Sequence, residues 1–230
     1  MNREYYEAYE ERYKDTYKNN MLWEIRNITK DVINIIEEYK ITKEDNILEV
    51  GCGEGRDSIY LLNNNYHNLL GVDYSKTVIN KCNELTNNKY INNFKSLDIM
   101  KDTLNKKYKF IYSVAVLHMF LTNEHRDKFY SFIYDHLEDN GIALIITMGD
   151  GITTYKSDIT KAFTKVERKN INTNKKILVT NTSCNIVDLP TIKDEIKRND
   201  LKIIKEYIST EVPNFDKCIC VVVTKKWHKI

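Results

Sequence analysis

The chain has 230 residues, 42% of them apolar and 30% charged, which is the composition of a folded soluble protein and not of a disordered or membrane chain. Lysine plus arginine outnumber aspartate plus glutamate only 35 to 33, a net charge of +2, so no chain-wide positive field exists to hold a phosphate backbone and nucleic acid is not the expected partner. The longest apolar runs, Ile142–Met148 and Cys218–Val223, fall far short of the ~20 residues that span a bilayer; with no apolar leader at the start and five cysteines, an odd number, the expectation is free thiols in a reducing cytoplasm.

Arg3–Asn19 and Leu22–Tyr39 read as helices. Tyr5, Tyr6, Tyr9, Tyr13 and Tyr17 recur at helical spacing and form an aromatic stripe, which either packs on the core or closes as a lid with Trp23. Asn46–Val50 then reads as a buried strand, followed by a turn holding three of the seven glycines, Gly51, Gly53 and Gly55, and by a helix over Arg56–Leu62. His67–Val72 is a second strand ending at Asp73, Tyr74-Ser75 enters a helix over Lys76–Thr86, and Ile91–Leu97 is a third strand ending at Asp98. Lys109–Val116 is a fourth strand ending at His118, Asn123–Leu137 a helix, and Ile142–Met148 a fifth strand. Such alternation predicts a parallel, doubly wound α/β sheet with its ligand crevice at the carboxyl ends of the strands. Residues 152–187 break the pattern and read as an insertion containing a hairpin (Lys161–Glu167, Lys176–Cys184). A helix from Asp188 to Asn199 and an antiparallel pair, Leu201–Ile208 and Lys217–Lys225, complete what is expected to be one domain over 1–230, its first 40 residues forming the helical lid.

A glycine turn between strand and helix lets backbone approach a ligand, and an acid ending the next strand accepts hydrogen bonds from a ribose diol; Asp73 stands 20 residues after Gly53. The dinucleotide pattern G-x-G-x-x-G fails because its sixth position is Arg56, and the phosphate-loop pattern fails there too. Glu49 and Glu54 point to a cationic ligand instead of a pyrophosphate.

Ile47-Leu-Glu-Val-Gly-Cys-Gly-Glu-Gly-Arg56, Gly71-Val-Asp-Tyr-Ser75 and Leu97-Asp-Ile99 resemble, in order and spacing, the successive motifs of class I S-adenosylmethionine-dependent methyltransferases over roughly residues 45–148. Within that family, Gly51–Leu62 and Tyr112–Leu121 are similar to the tellurite-resistance and thiopurine-type small-molecule enzymes. The resemblance implies a Rossmann-like seven-stranded sheet of order 3-2-1-4-5-7-6. It implies S-adenosyl-L-methionine as cofactor, with the glycine loop along its methionine part, Asp73 on the ribose hydroxyls and Asp98 facing the adenine amine. The cofactor-binding set expected from these motifs is Glu49, Gly51, Cys52, Gly53, Gly55, Arg56, Asp73, Tyr74, Ser75, Asp98, Ile99 and Val114.

Methyl transfer from a sulfonium needs positioning and exclusion of water more than a strong base, so a sulfur, selenium, tellurium or nitrogen nucleophile needs little help, whereas an alcohol wants a general base. His118 is the candidate for that base, or else it packs against cofactor. Tyr9, Tyr13, Trp23, Met119 and Asp150 are candidates for the lid and acceptor side, although Asp150 between two glycines also suits a turn cap. No His/Cys spacing suggests a metal site. Two other readings stand beside the methyltransferase: a nicotinamide-dependent oxidoreductase, against which Arg56, Glu49 and Glu54 argue, and a non-catalytic S-adenosylmethionine-binding regulator or scaffold. The acceptor atom and the oligomeric state have no motif.

Overall fold

A computed structural model describes residues 3–22, 27–169 and 174–226. A 3₁₀ turn (Tyr5–Glu7) leads into α1 (Ala8–Lys18), and α2 follows at Lys30–Glu38. The βα series is β1 (Ile47–Val50), α3 (Arg56–Asn63), β2 (Leu69–Asp73), α4 (Lys76–Leu85), β3 (Phe94–Ser96), β4 (Tyr108–Val114), α5 (Asn123–His136) and β5 (Leu137–Met148). Next come β6 (Tyr155–Lys156), β7 (Lys165–Lys169), β8 (Lys176–Thr180) and β9 (Asn185–Ile186), then α6 (Leu189–Arg198), β10 (Leu201–Ser209) and β11 (Cys218–Lys225).

One seven-stranded sheet has the order β10-β11-β5-β4-β1-β2-β3. β1 to β5 pair in parallel and β11 runs antiparallel to both β5 and β10, which is the 3-2-1-4-5-7-6 order expected from the resemblance. The period of two along each strand divides the core. Leu48, Val50, Ile111 and Ile145 face one layer with α5 and α6, while Ile47, Phe110, Leu144 and Ile146 face the other with α2, α3 and α4. Ile111 and Phe110 are both wholly buried, and truncating either to alanine costs ~2–5 kcal/mol through lost burial and the cavity left behind. Helix starts follow their sequence signals: Ser75 caps α4 by accepting from Val78 N–H, Thr122 caps α5, and Asp188 with Pro190 opens α6.

Several boundaries differ from the pattern reading. Ile91–Asn93 is a 3₁₀ turn, because Asn93 N–H bonds back to Tyr90, so the third strand is only Phe94–Ser96. The fourth strand stops at Val114, since Ala115 turns left-handed (φ 59°), and His118 sits in a 3₁₀ turn over Leu117–Met119 instead of at a strand end. β5 begins at Leu137, straight from α5. The second helix begins at Lys30 and not Leu22; Thr29 is held extended, its N–H and hydroxyl both donating to Asp57. The hairpin arms are shorter than expected, Lys165–Lys169 and Lys176–Thr180, and most of its turn lies outside the described residues. No described helix is long and apolar enough to cross a membrane.

Candidate active site

The carboxyl ends of β1, β2 and β4, roofed by α1 and the β7–β8 hairpin, enclose a cavity of about 500 Å³. Its floor is the glycine turn. Gly51, at φ 75°, donates its N–H to Val72 C=O at 2.8 Å, and a Cβ there would come within 2.2 Å of Val116 Cγ2, so only glycine fits. Cys52 N–H bonds the same carbonyl at 2.9 Å. Gly53 N–H donates to Asp73 Oδ2 at 3.0 Å, and Ser75 N–H to Oδ1 at 2.9 Å. The turn and the β2 acid are thereby locked into one unit. Burial pushes Asp73 up to about 6, against the lowering effect of the two amide bonds.

Around this floor, Glu49, Arg56, Tyr74, Ile99 and Val114 also line the cavity. Glu49 is 3% exposed and accepts from Ser58 N–H and hydroxyl and from Tyr112 hydroxyl; burial and the nearby Asp57 drive its carboxyl well up. Its proton affinity weakens the charge argument against a pyrophosphate that the sequence suggested. Arg56 is bound to Asp57 (3.0 Å) and Thr29 (2.7 Å), so the side chain in the sixth position ties α3 to the α2 entry. Asp98 lies after β3; its Oδ1 takes Met100 N–H and its Oδ2 takes Tyr6 hydroxyl at 3.1 Å.

Two expected cofactor residues stand off the cavity lining. Gly55 (φ 73°) is the N-cap of α3, packed against Cys82, Phe94 and Ile59, and Ser75 is spent on the α4 cap and on Glu10. Glu54 is wholly buried.

The roof comes from α1. Tyr9 and Tyr13 line the cavity, and Tyr9 hydroxyl donates to Ser183 C=O at 2.8 Å. Glu10 accepts from Ser75 hydroxyl and from Thr77 N–H and hydroxyl, while Asp15 accepts from Thr180 N–H and hydroxyl at 2.7 Å, so α1 is anchored on α4 and on β8. Trp23 lies outside the described residues.

His118 and Met119 line the far end. The imidazole is 6% exposed, its Nδ1 has no partner among the described residues, and Phe215 meets it edge-on at 6.0 Å. Burial, then the positive charge of Arg126, pushes His118 down to about 4, so the ring is neutral through the physiological range. Asp150 is not at the site. It caps its own turn, taking Ile152 N–H at 2.9 Å and Thr153 N–H at 2.7 Å, and these bonds hold it down to about 2. That outcome is the turn cap.

Tyr6 of the aromatic stripe lines the cavity, whereas sequence reasoning missed Arg12, Arg168, Lys169, Asn214 and Phe215, which line it too. Arg12 was findable, since it follows Tyr9 by three on the same helical face. The Arg168-Lys169 pair lies at the end of β7 and has no periodic signal; Asn214 and Phe215 lie in the β10–β11 loop, 96 and more residues from His118, where no local pattern places them. Burial lowers Arg12, and the like charge of Arg168 adds to it, so the two cations are neighbours. Among the described residues no three His, Cys, Asp or Glu side chains gather as a metal site, and the five cysteines are free.

Residues 12–204 match the family model described as tellurite resistance protein TehB. No curated protein matches the chain by sequence. Among solved structures, a S-adenosylmethionine-dependent methyltransferase from Clostridium acetobutylicum is 14% identical, with 94% of this chain and 96% of that chain covered at a TM-score of 0.64. The CcbJ methyltransferase from Streptomyces caelestis is 13% identical, covering 96% and 98% at 0.71. Magnesium protoporphyrin IX methyltransferase from Synechocystis, with bound S-adenosylmethionine, is 13% identical, covering 86% and 78% at 0.59. At these identities the likeness is one of fold.

Proposed function

The chain belongs to the tellurite resistance protein TehB family and is a class I S-adenosylmethionine-dependent methyltransferase, and from that premise we propose that its acceptor is a small nucleophile that is anionic or loses its proton readily. The cavity residues suit the cofactor: the Asp73 carboxylate, tied to the glycine turn by Gly53 N–H, keeps lone pairs for a ribose diol, and Gly51, where Val116 leaves no room for a Cβ, lets the turn keep its left-handed course along the floor. When bound, the cofactor supplies a methyl group activated by a sulfonium centre. In this reading Asp73 and Asp98 hold the adenosine, Tyr6 and Tyr74 wall its base, and α1 excludes water.

The observation that carries the acceptor class is the chemistry of the cavity, which a neutral buried imidazole shares with Arg12, Arg168 and Lys169. Moving a proton from a phenol onto an imidazole of about 4 spans some six pK units and is uphill by ~8 kcal/mol, so His118 is a poor base for hydroxyl acceptors. A thiolate or a chalcogen oxyanion arrives with its lone pair available, and three cations favour it. His118 then contacts the acceptor and takes a proton only from one already acidic.

The test is calorimetry with S-adenosylmethionine, S-adenosylhomocysteine and NADH, followed by an acceptor panel of thiols, tellurite, selenite, amines and phenols. Micromolar binding of the first two and turnover of thiols or oxyanions is expected. Methylation of phenols or amines alone would overturn the acceptor class; NADH as the one tight ligand would restore the oxidoreductase reading; cofactor binding with no acceptor turned over would favour the scaffold.

A further inference from the structure

Behind the cavity wall at His118 lies an ion pair that touches neither the cofactor groups nor the cationic wall. Arg126 on α5 and Glu195 on α6 are each 1% exposed, and the guanidinium grips the carboxylate through two bonds, Nε to Oε1 at 2.6 Å and Nη2 to Oε2 at 2.7 Å. Tyr130 hydroxyl donates to the same Oε2 at 3.1 Å. Taking two full charges out of water is costly, and apolar side chains of equal volume often stabilise a core as well or better, so stability does not by itself account for the pair. The remaining arm of the fork does something specific. Arg126 Nη1 donates at 3.0 Å to the carbonyl of Leu117, the residue before His118.

That turn needs holding. It opens with Ala115 at φ 59°, a conformation costly for a residue with a Cβ, which persists only where the surroundings over-determine it. Two bonds lie within the turn, Met119 N–H to Val116 C=O at 2.8 Å and Phe120 N–H to Leu117 C=O at 3.2 Å. The ties from side chains all come from other elements: Leu117 C=O also takes Arg126, Met119 C=O takes Ser183 hydroxyl at 2.6 Å, Phe120 C=O takes Asn185 at 3.2 Å, and Leu121 N–H donates to Tyr5 hydroxyl at 2.9 Å. His118 has no such tie at Nδ1, so packing against Phe215 and the backbone beneath it must aim the ring.

We propose that Arg126, clamped by Glu195, is a positioning residue for methyl transfer: by fixing the Leu117 carbonyl it sets the direction in which His118 meets the acceptor. The inference rests on the reading of His118 given above. The groups around the ring are Arg126 from the α5 side, whose positive charge opposes a protonated imidazole and is itself paired with Glu195, the neutral Phe215, and Arg12, Arg168 and Lys169 elsewhere on the lining of the same cavity.

The experiment compares the full chain with Arg126→Met/Glu195→Gln, which removes both charges and so leaves no buried charge unpaired, with Arg126→Lys, and with His118→Ala. Four readouts are taken: S-adenosylmethionine affinity, kcat, acceptor KM, and the titration of the His118 ring by NMR. His118→Ala with the parent kcat removes the reading of His118, and this inference with it. If His118→Ala is slow, the double variant should keep cofactor affinity within twofold and acceptor KM within threefold. Its kcat should fall at least tenfold while its His118 midpoint stays near the parent's, because the pair removed carries no net charge and burial, the larger cause of the low midpoint, remains. Arg126→Lys, which keeps the charge but not the planar fork, should likewise leave the midpoint in place and restore only part of kcat. A folded double variant with the parent kcat overturns the proposal. Should that variant not fold, parent kcat in Arg126→Lys overturns it just as well, and a lowered kcat with an unmoved midpoint supports it.

Discussion

Asp73 holds the Gly53 and Ser75 amides, and the proposed cofactor pose gives the same carboxylate a ribose diol. Asp73→Ala removes the diol's acceptor and also unties Gly53, so cofactor affinity should fall by ~2–4 kcal/mol, read by calorimetry on a variant whose fold is checked by circular dichroism. Unchanged affinity would put the ribose elsewhere. The pH dependence has a definite sign. Burial raises Asp73 to about 6, so between its unfolded value near 3.8 and that point the native protein holds a proton the unfolded chain has lost, and Asp73's contribution to stability diminishes as pH rises. Binding runs the other way, because the diol needs the ionised form: affinity should be level above pH 7 and weaken by up to tenfold per unit below about 6. A flat profile from pH 7 to 5 would contradict the assignment. Gly51→Ala tests the floor of the site, since both φ 75° and the Val116 methyl at 2.2 Å oppose it; a loss of ~1–3 kcal/mol in stability is expected, partly restored by Val116→Ala.

At the scale of elements, α1 and the β7–β8 hairpin behave as one roof, because Asp15 joins α1 to Thr180 and Lys165 while Glu10 joins it to the start of α4. Burial works against Glu10, yet the bonds from Ser75 and Thr77 hold its carboxyl below the ordinary range, so the latch is charged and closed at neutral pH. Glu10→Ala should loosen α1 without disturbing the sheet. A charged hydrogen-bonded latch is worth ~1.5–3 kcal/mol, less here because the group is partly exposed, so roughly a tenfold weaker cofactor affinity and faster proteolysis before residue 20 are the expected readouts. Equal affinity and equal protection would mean α1 does not close the site. The roof was half legible in the sequence. Tyr9, Arg12 and Tyr13 share a helical face that periodicity reveals, but their partners Thr180 and Ser183 are joined to them only by folding.

Over the whole molecule, what was legible is what local patterns encode. The glycine turn, Asp73 and Asp98 follow from the alternation of strands and helices, and even the antiparallel ending of the sheet was readable from the last two apolar runs. Of the cavity's far end only His118, Met119, Tyr9 and Tyr13 were, because the rest is assembled from pieces far apart in the chain: Arg12 from α1, Arg168 from β7 and Phe215 from the β10–β11 loop. A floor encoded locally and a wall assembled by folding make a thermodynamic demand, since the cofactor must favour the folded chain over the unfolded one. At a cofactor concentration of 100 times Kd the added stability is ~2.7 kcal/mol, which for a chain of this size raises Tm by roughly 5–10 °C. S-adenosylhomocysteine should give the same shift, NADH at equal concentration should give none, and Asp73→Ala should remove most of it. A shift from NADH that matches the other two would mean that the cavity reads only an adenosine, and the methionine end of the floor, Gly51 to Gly53, would lose its assigned role.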